Sequence, residues 1–116
     1  MNLTVTRQKD YFLAQTEGPI DDTSRDPIRE HLHPLVAEPG TKVIVDLSRS
    51  PRINSIGVGN LVTLVAHANT NGSRVVFCAI PSFVAVVLSV TKLDKFFEVA
   101  PTVADAAAKL GINASA

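Results

Sequence analysis

The chain has 116 residues, a length that suits one domain. Its residues are 46% apolar with no Trp, so a core has to be built from Val, Leu, Ile and Ala. Eleven basic and eleven acidic side chains cancel, which removes the electrostatic case for a nucleic-acid partner, whose phosphates demand a basic surface.

The N-terminal run Met1-Asn2-Leu3-Thr4-Val5 has neither a basic segment nor a long apolar one, so no signal peptide is expected. The apolar stretches fall short of the roughly 18 residues a membrane span needs. A cytoplasmic protein without membrane insertion is the expectation. Cys78 is the single cysteine. Its place in Val75-Val76-Phe77-Cys78-Ala79-Ile80 reads as that of a buried small hydrophobe.

Leu3 and Val5, then Tyr11, Phe12 and Leu13, form short apolar runs split by Arg7-Gln8-Lys9-Asp10. This predicts a hairpin, ended by Gly18-Pro19. Asp22-Thr23-Ser24 supplies a helix cap, and Pro27 is tolerated in the first turn that follows. Ile28, Leu32, Leu35 and Val36 keep helical spacing. Pro34 interrupts them, so a kink or a split helix is expected before Pro39-Gly40.

Lys42 to Leu47 is a β-branched run, apolar on alternate and intervening positions alike, as a strand covered on both faces requires. After Ser48-Arg49-Ser50-Pro51-Arg52 comes Ile53-Asn54-Ser55-Ile56-Gly57, with a second helix expected to begin near Gly57. Val58, Leu61, Val62, Val65 and Ala66 give that helix one apolar face, and Asn71-Gly72 closes it. Arg74 to Ile80 reads as another buried strand. Pro81-Ser82 opens a third helix with Phe83, Val84, Val87, Leu88 and Val90 on its apolar face. A short strand is expected around Phe97 to Val99. Pro101-Thr102 then opens a last helix through Val103, Ala106, Ala107 and Leu110. Residues 112–116 read as a frayed tail of the single domain 1–116.

The order β-β-α-β-α-β-α-β-α predicts an α/β fold. It is a mostly parallel sheet of about four to five strands, entered through an N-terminal β-hairpin and covered by about four helices.

No catalytic constellation is visible. The serines lack a nucleophile-elbow pattern. Gly57-Val58-Gly59 has no third glycine at dinucleotide spacing, and no phosphate-loop lysine follows. His31 and His33 stand two apart on a helical stretch and so face different ways. No Cys, Asp or Glu joins them at ligand spacing, so neither a metal nor another cofactor is expected. His67 reads as a solvated position late in the second helix. Asp46 reads as a cap for the turn after its strand, with a bond to the Ser55 loop as the alternative. Lys92, Asp94 and Lys95 read as an ordinary exposed loop.

Val43-Ile44-Val45-Asp46-Leu47 followed by Ile53-Asn54-Ser55-Ile56-Gly57-Val58-Gly59-Asn60-Leu61 resembles the STAS domain of bacterial anti-sigma-factor antagonists. There a strand of the type V-V-L-D-L precedes a loop of the type I-D-S-x-G-L-G-x-L. Asn71 to Phe77 is similar to the family's helix stop and next strand. Val87 to Phe97 is similar to its L-x-x-x-x-L-D-x-x-F segment. The likeness spans Lys42 to Leu110.

The resemblance implies a binding module, not an enzyme. The unphosphorylated form would bind a partner anti-sigma factor that is also a serine kinase, releasing the sigma factor. Phosphorylation of Ser55 would block binding, and a phosphatase would reset the cycle. Asn54, Ser55, Ile56, Gly57, Val58, Gly59 and Asn60 would form the partner-binding loop and helix start, with Gly57 and Gly59 letting a partner's backbone come close.

The sequence departs from the family in two places. Asn54 stands where the family carries an acid, and Gly18-Pro19-Ile20-Asp21 matches the G-x-[IL]-D segment only loosely. An amide cannot act as a base. Asn54 therefore favours the alternative of a non-switching STAS subunit, in a stressosome scaffold or a lipid-transport ABC system. From the local residues alone, Asn54 and Ser55 are both good helix caps and Ser55 reads as a cap; it is the resemblance that turns the reading towards a phosphoacceptor.

Overall fold

A computed structural model describes residues 1–112. The hairpin strands are β1 (Asn2–Arg7) and β2 (Phe12–Glu17). A 3-10 turn (Asp22–Ser24) leads into α1 (Arg25–His31) and α2 (His33–Val36). Then come β3 (Lys42–Arg49), α3 (Ser55–Thr70), β4 (Arg74–Cys78), α4 (Ser82–Val90), β5 (Glu98–Ala100) and α5 (Val103–Lys109). The five strands lie side by side in chain order, with β1 antiparallel to β2 and the remaining pairs parallel.

The helix is split at Pro34, as its sequence demands. Pro34 has no N–H to donate back to the preceding turn, so α1 stops at His31 and α2 starts afresh at His33. Among the described residues the α-helix count is therefore five instead of four, two of the five being halves of one expected segment.

The alternation along β3 explains the layering. Val43, Val45 and Leu47 face the larger core layer, where they meet Leu32, Val36, Leu61, Leu64, Val84 and Leu88. Ile44 points the other way, with Val76 and Cys78, onto Ala106, Ala107 and Leu110 of α5. Both faces of the strand are dry, which is why its sequence shows no polar alternation. Burial pushes the Cys78 thiol up to about 12, with the Asp46 charge adding to the effect. A thiol held neutral in this way is an inert packing group.

Two expectations need correcting. Ile112 is not frayed: it is buried in the α5 layer, and its N–H donates to the Ala107 carbonyl at 2.9 Å. The rest of the expected tail, 113–116, lies outside the described residues. On α4 only Val84 and Leu88 are buried, with Val87 partly so. Phe83 and Val90 are 50% and 75% exposed. Ser82 and Ser89, seven residues apart and both exposed, mark the outer face of α4, and Phe83 and Val90 each lie next to one of them in the chain. Among the described residues, no helix is long and apolar enough to cross a membrane.

Candidate functional site

The connection from β3 to α3 is built against the segment that follows the hairpin. Ile53 forms a parallel bridge with Ile20. The Ile20 N–H donates to the Arg52 carbonyl at 2.9 Å, and the Asn54 N–H donates to the Ile20 carbonyl at 3.2 Å. Ile20 itself is fully buried. The Gly18 to Asp21 stretch, which matches the family's G-x-[IL]-D segment only loosely, is thus the floor on which the loop rests. Beneath the loop the buried Ser50 and Thr16 hydroxyls bond to each other at 2.6 Å.

This floor settles where α3 begins. Asn54 is extended, and its Oδ1 accepts the Gly57 N–H at 2.8 Å. Asn54 is the cap, and Ser55 is the first helical residue. The helix therefore starts two residues before Gly57, and Ser55 does not cap it. Among the described residues the Ser55 hydroxyl has no hydrogen-bond partner and the side chain is exposed. The amides of Ser55 and Ile56 have no intrachain acceptor either, as the open end of a helix requires. The dipole of a 16-residue helix adds partial positive charge at that point.

The seven residues of the expected partner-binding segment divide by burial. Asn54, Ser55, Ile56 and Gly59 are exposed, Ile56 by 54%. Gly57 and Val58 are buried. A Cβ on Gly57 would lie 1.8 Å from the Ile20 carbonyl oxygen. The close approach that Gly57 permits is thus to this chain's own backbone, not to a partner's. A Cβ on Gly59 would meet nothing within 4 Å. Asn60 is half-buried and already engaged, its Nδ2 donating to the Asp21 carbonyl at 3.2 Å and to the Ser24 Oγ at 2.8 Å.

Other residues fall where the bland reading placed them. The Asp46 Oδ1 accepts the Ser48 N–H at 2.9 Å, a local turn bond, and does not reach the Ser55 loop. Lys92, Asp94 and Lys95 are exposed on the turn after α4. Asp21 caps the 3-10 turn, and its bonds from the Thr23 hydroxyl and amide hold its carboxyl below the usual range. Beside the loop lies an open groove of about 270 Å³ between Asp21, Arg52, Ile53 and Asn54 on one side and Phe83 on the other.

One pairing had no local signal. His67 is half-buried and engaged: its Nδ1 lies 2.7 Å from the Nδ1 of His33, with the ring centroids 4.9 Å apart and the planes inclined by 25°. The two are 34 residues apart, and only the seating of α2 on α3 brings them together.

A sequence model of the STAS domain matches residues 2–106. The chain belongs to the STAS domain family. Its fold is similar to that of an anti-sigma factor antagonist from Mycobacterium paratuberculosis, with a TM-score of 0.81 and 20% identity over 95% of this chain and 93% of that one. It is likewise similar to an anti-sigma-factor antagonist (STAS) domain protein from Planctomyces limnophilus, at TM-score 0.80 and 17% identity over 94% and 97%. The phosphorylated form of the Bacillus cell fate determinant SpoIIAA matches at TM-score 0.71 and 14% identity, over 94% and 99%.

Proposed function

We propose that this chain is a cytoplasmic anti-sigma-factor antagonist that acts by binding and not by catalysis. Its unphosphorylated form binds an anti-sigma factor that is also a serine kinase, and so releases the sigma factor. Phosphorylation of Ser55 blocks that binding, and a phosphatase restores it. The observation that carries this reading is the state of Ser55. Asn54 has taken over the capping bond, which leaves an exposed hydroxyl unengaged at the head of α3, next to two free amides.

The physics of such a switch is local. A phosphate at Ser55 sits at the positive end of the helix, so the fold tolerates it. The exposed side chains of Ile56 and Phe83 make the surroundings partly apolar. A phosphate carrying about −1.5 to −2 charges would be desolvated there by a covering partner. A cost of about 3 kcal/mol is enough to weaken binding more than a hundredfold, since each 1.4 kcal/mol is tenfold.

A second reading, a non-switching STAS subunit of a larger assembly, is favoured by one observation. Asn54 stands where the family carries an acid, and its amide is committed to Gly57. Incubation with the candidate kinase and labelled ATP, followed by peptide mapping, separates the two. We expect label on Ser55, and binding by Ser55→Asp at least about a hundredfold weaker than by the parent. Label confined to other residues, or equal affinity for Ser55→Asp, excludes the switch and leaves the scaffold reading.

A further inference from the structure

We propose that His33 and His67 form a proton-operated latch between the α1–α2 segment and α3, closed while the pair carries at most one added proton and opened by the second. The inference rests on their geometry and is independent of the function proposed for Ser55.

Two imidazole nitrogens 2.7 Å apart need one hydrogen between them. In the neutral pair one Nδ1–H donates to the lone pair of the other Nδ1. The donor ring then has a free lone pair on its Nε2, and the acceptor ring carries its hydrogen there. A first added proton goes to the donor's Nε2. The donor becomes an imidazolium, and the bond between the rings becomes charge-assisted and stronger. A second proton has one place left, the accepting Nδ1. Taking it removes the bond and sets two cations against each other with their Nδ1 atoms in contact. The pair therefore titrates as a unit with two separated steps, and only the second opens it.

The charged groups of α1, the element packed against the pair, are Arg25, Asp26, Arg29 and the exposed Glu30. His33 lines a cleft with Arg25, Ile28 and Arg29 of α1 and Asn60 and Thr63 of α3. The two charged side chains of that cleft are both cations, and Arg29 is already paired with Asp26 at 2.9 Å. Neither α2 nor α3 carries a charged side chain apart from the two histidines. Burial, and then the charge on His67, hold the His33 imidazole below its usual range.

The sign follows. A histidine that is harder to protonate in the folded chain than in the unfolded one leaves the unfolded chain binding more protons as the pH falls. That is the case for the second proton, so stability holds through the first step and declines as the pH falls below the ordinary histidine range, near 6.5, towards the second. The decline is local first, because α2 is one short turn whose hold on α3 includes this contact. Asn60, in the same cleft, also ties α3 to the Asp21–Ser24 turn. Opening the latch therefore loosens the α1–α2 segment from the side where that tie lies.

The test is an NMR pH titration of the three histidine rings, with hydrogen exchange at the amides of Leu35, Val36 and Ala37 followed in parallel. His31, exposed and two residues from His33, is the internal reference. We expect the His33 and His67 resonances to report the same two steps, the second below the His31 midpoint. Exchange at the α2 amides should accelerate at least about threefold across that second step, on top of the ordinary pH dependence of exchange seen at amides in β3. In His67→Asn the second step and the acceleration should both vanish. Independent titration of His33 and His67 at the His31 midpoint overturns the latch, as does α2 exchange that tracks β3 through the second step. The wild-type titration decides the question alone if His67→Asn fails to fold.

Discussion

Gly57 and Gly59 stand two residues apart in the same turn of α3, yet they answer to different demands. Gly57 faces inward, where the Ile20 carbonyl occupies the space a side chain would need. Gly59 faces outward, with nothing within 4 Å of where its Cβ would be. The same division runs through the whole segment. Ile53, Gly57 and Val58 form an inner wall that fixes the loop to the domain, and Asn54, Ser55, Ile56 and Gly59 form an exposed outer wall, of which Asn54, as the cap, also serves the fold. A motif that reads as one functional unit is thus two interleaved patterns. One explains how α3 is seated, and the other explains what α3 displays.

The sharpest way to break this division is Gly57→Ala. A methyl placed 1.8 Å from a backbone oxygen cannot be relieved by turning a side chain. Either α3 or the Gly18–Asp21 segment must move, and the Ile20–Ile53 bridge moves with it. We expect a loss of about 3 kcal/mol or more, at the upper end for overpacking substitutions, read as a lower urea midpoint at unchanged slope. A loss below about 0.5 kcal/mol would show that the inner wall is not the constraint it looks to be.

Next in size is the cap. Asn54→Ala removes the acceptor for the Gly57 N–H and should cost about 1 kcal/mol in the same assay. Asn54→Asp keeps the acceptor, and its negative charge suits the helix N-terminus, so stability should hold or rise slightly. The pair also probes the outer wall. If Ser55 is a phosphoacceptor hampered by the lack of a neighbouring acid, Asn54→Asp should be labelled by the kinase faster than the parent, with no loss of stability to confuse the comparison.

How much of this was legible in the sequence depended on how local the cause was. The central strand could be read from Val43-Ile44-Val45 because a strand covered on both faces must be apolar on both. The break at Pro34 could be read because the missing N–H is a property of one residue. The start of α3 was placed two residues late, since Asn54 and Ser55 cap equally well on local grounds. What decides between them is the Ile20 carbonyl, which fixes the Asn54 backbone from 34 residues earlier. The His33–His67 contact was invisible for the same reason. On α4 the failure was of another kind: Phe83 and Val90 were expected inside because they are apolar, although the one polar stripe, Ser82 and Ser89, lies opposite Val84 and Leu88 and places only those two at the centre of the buried face.

The smallest expected effect falls on Gly59, and it separates the two walls most cleanly. Gly59 lies inside a helix with open space around it, so Gly59→Ala lowers the backbone entropy of the unfolded chain and meets no clash. Folding stability should therefore rise, by about 0.5 to 1 kcal/mol. Its effect on the partner should have the opposite sign if the outer wall is a contact surface, because the added methyl stands where a closely approaching chain would lie. A variant that is more stable yet binds more weakly assigns Gly59 to recognition, and sets it against Gly57, whose substitution should weaken binding only through the fold. A rise in stability with unchanged affinity would confine the contact to Asn54, Ser55 and Ile56, and would leave Gly59 as a helix glycine without a surface role.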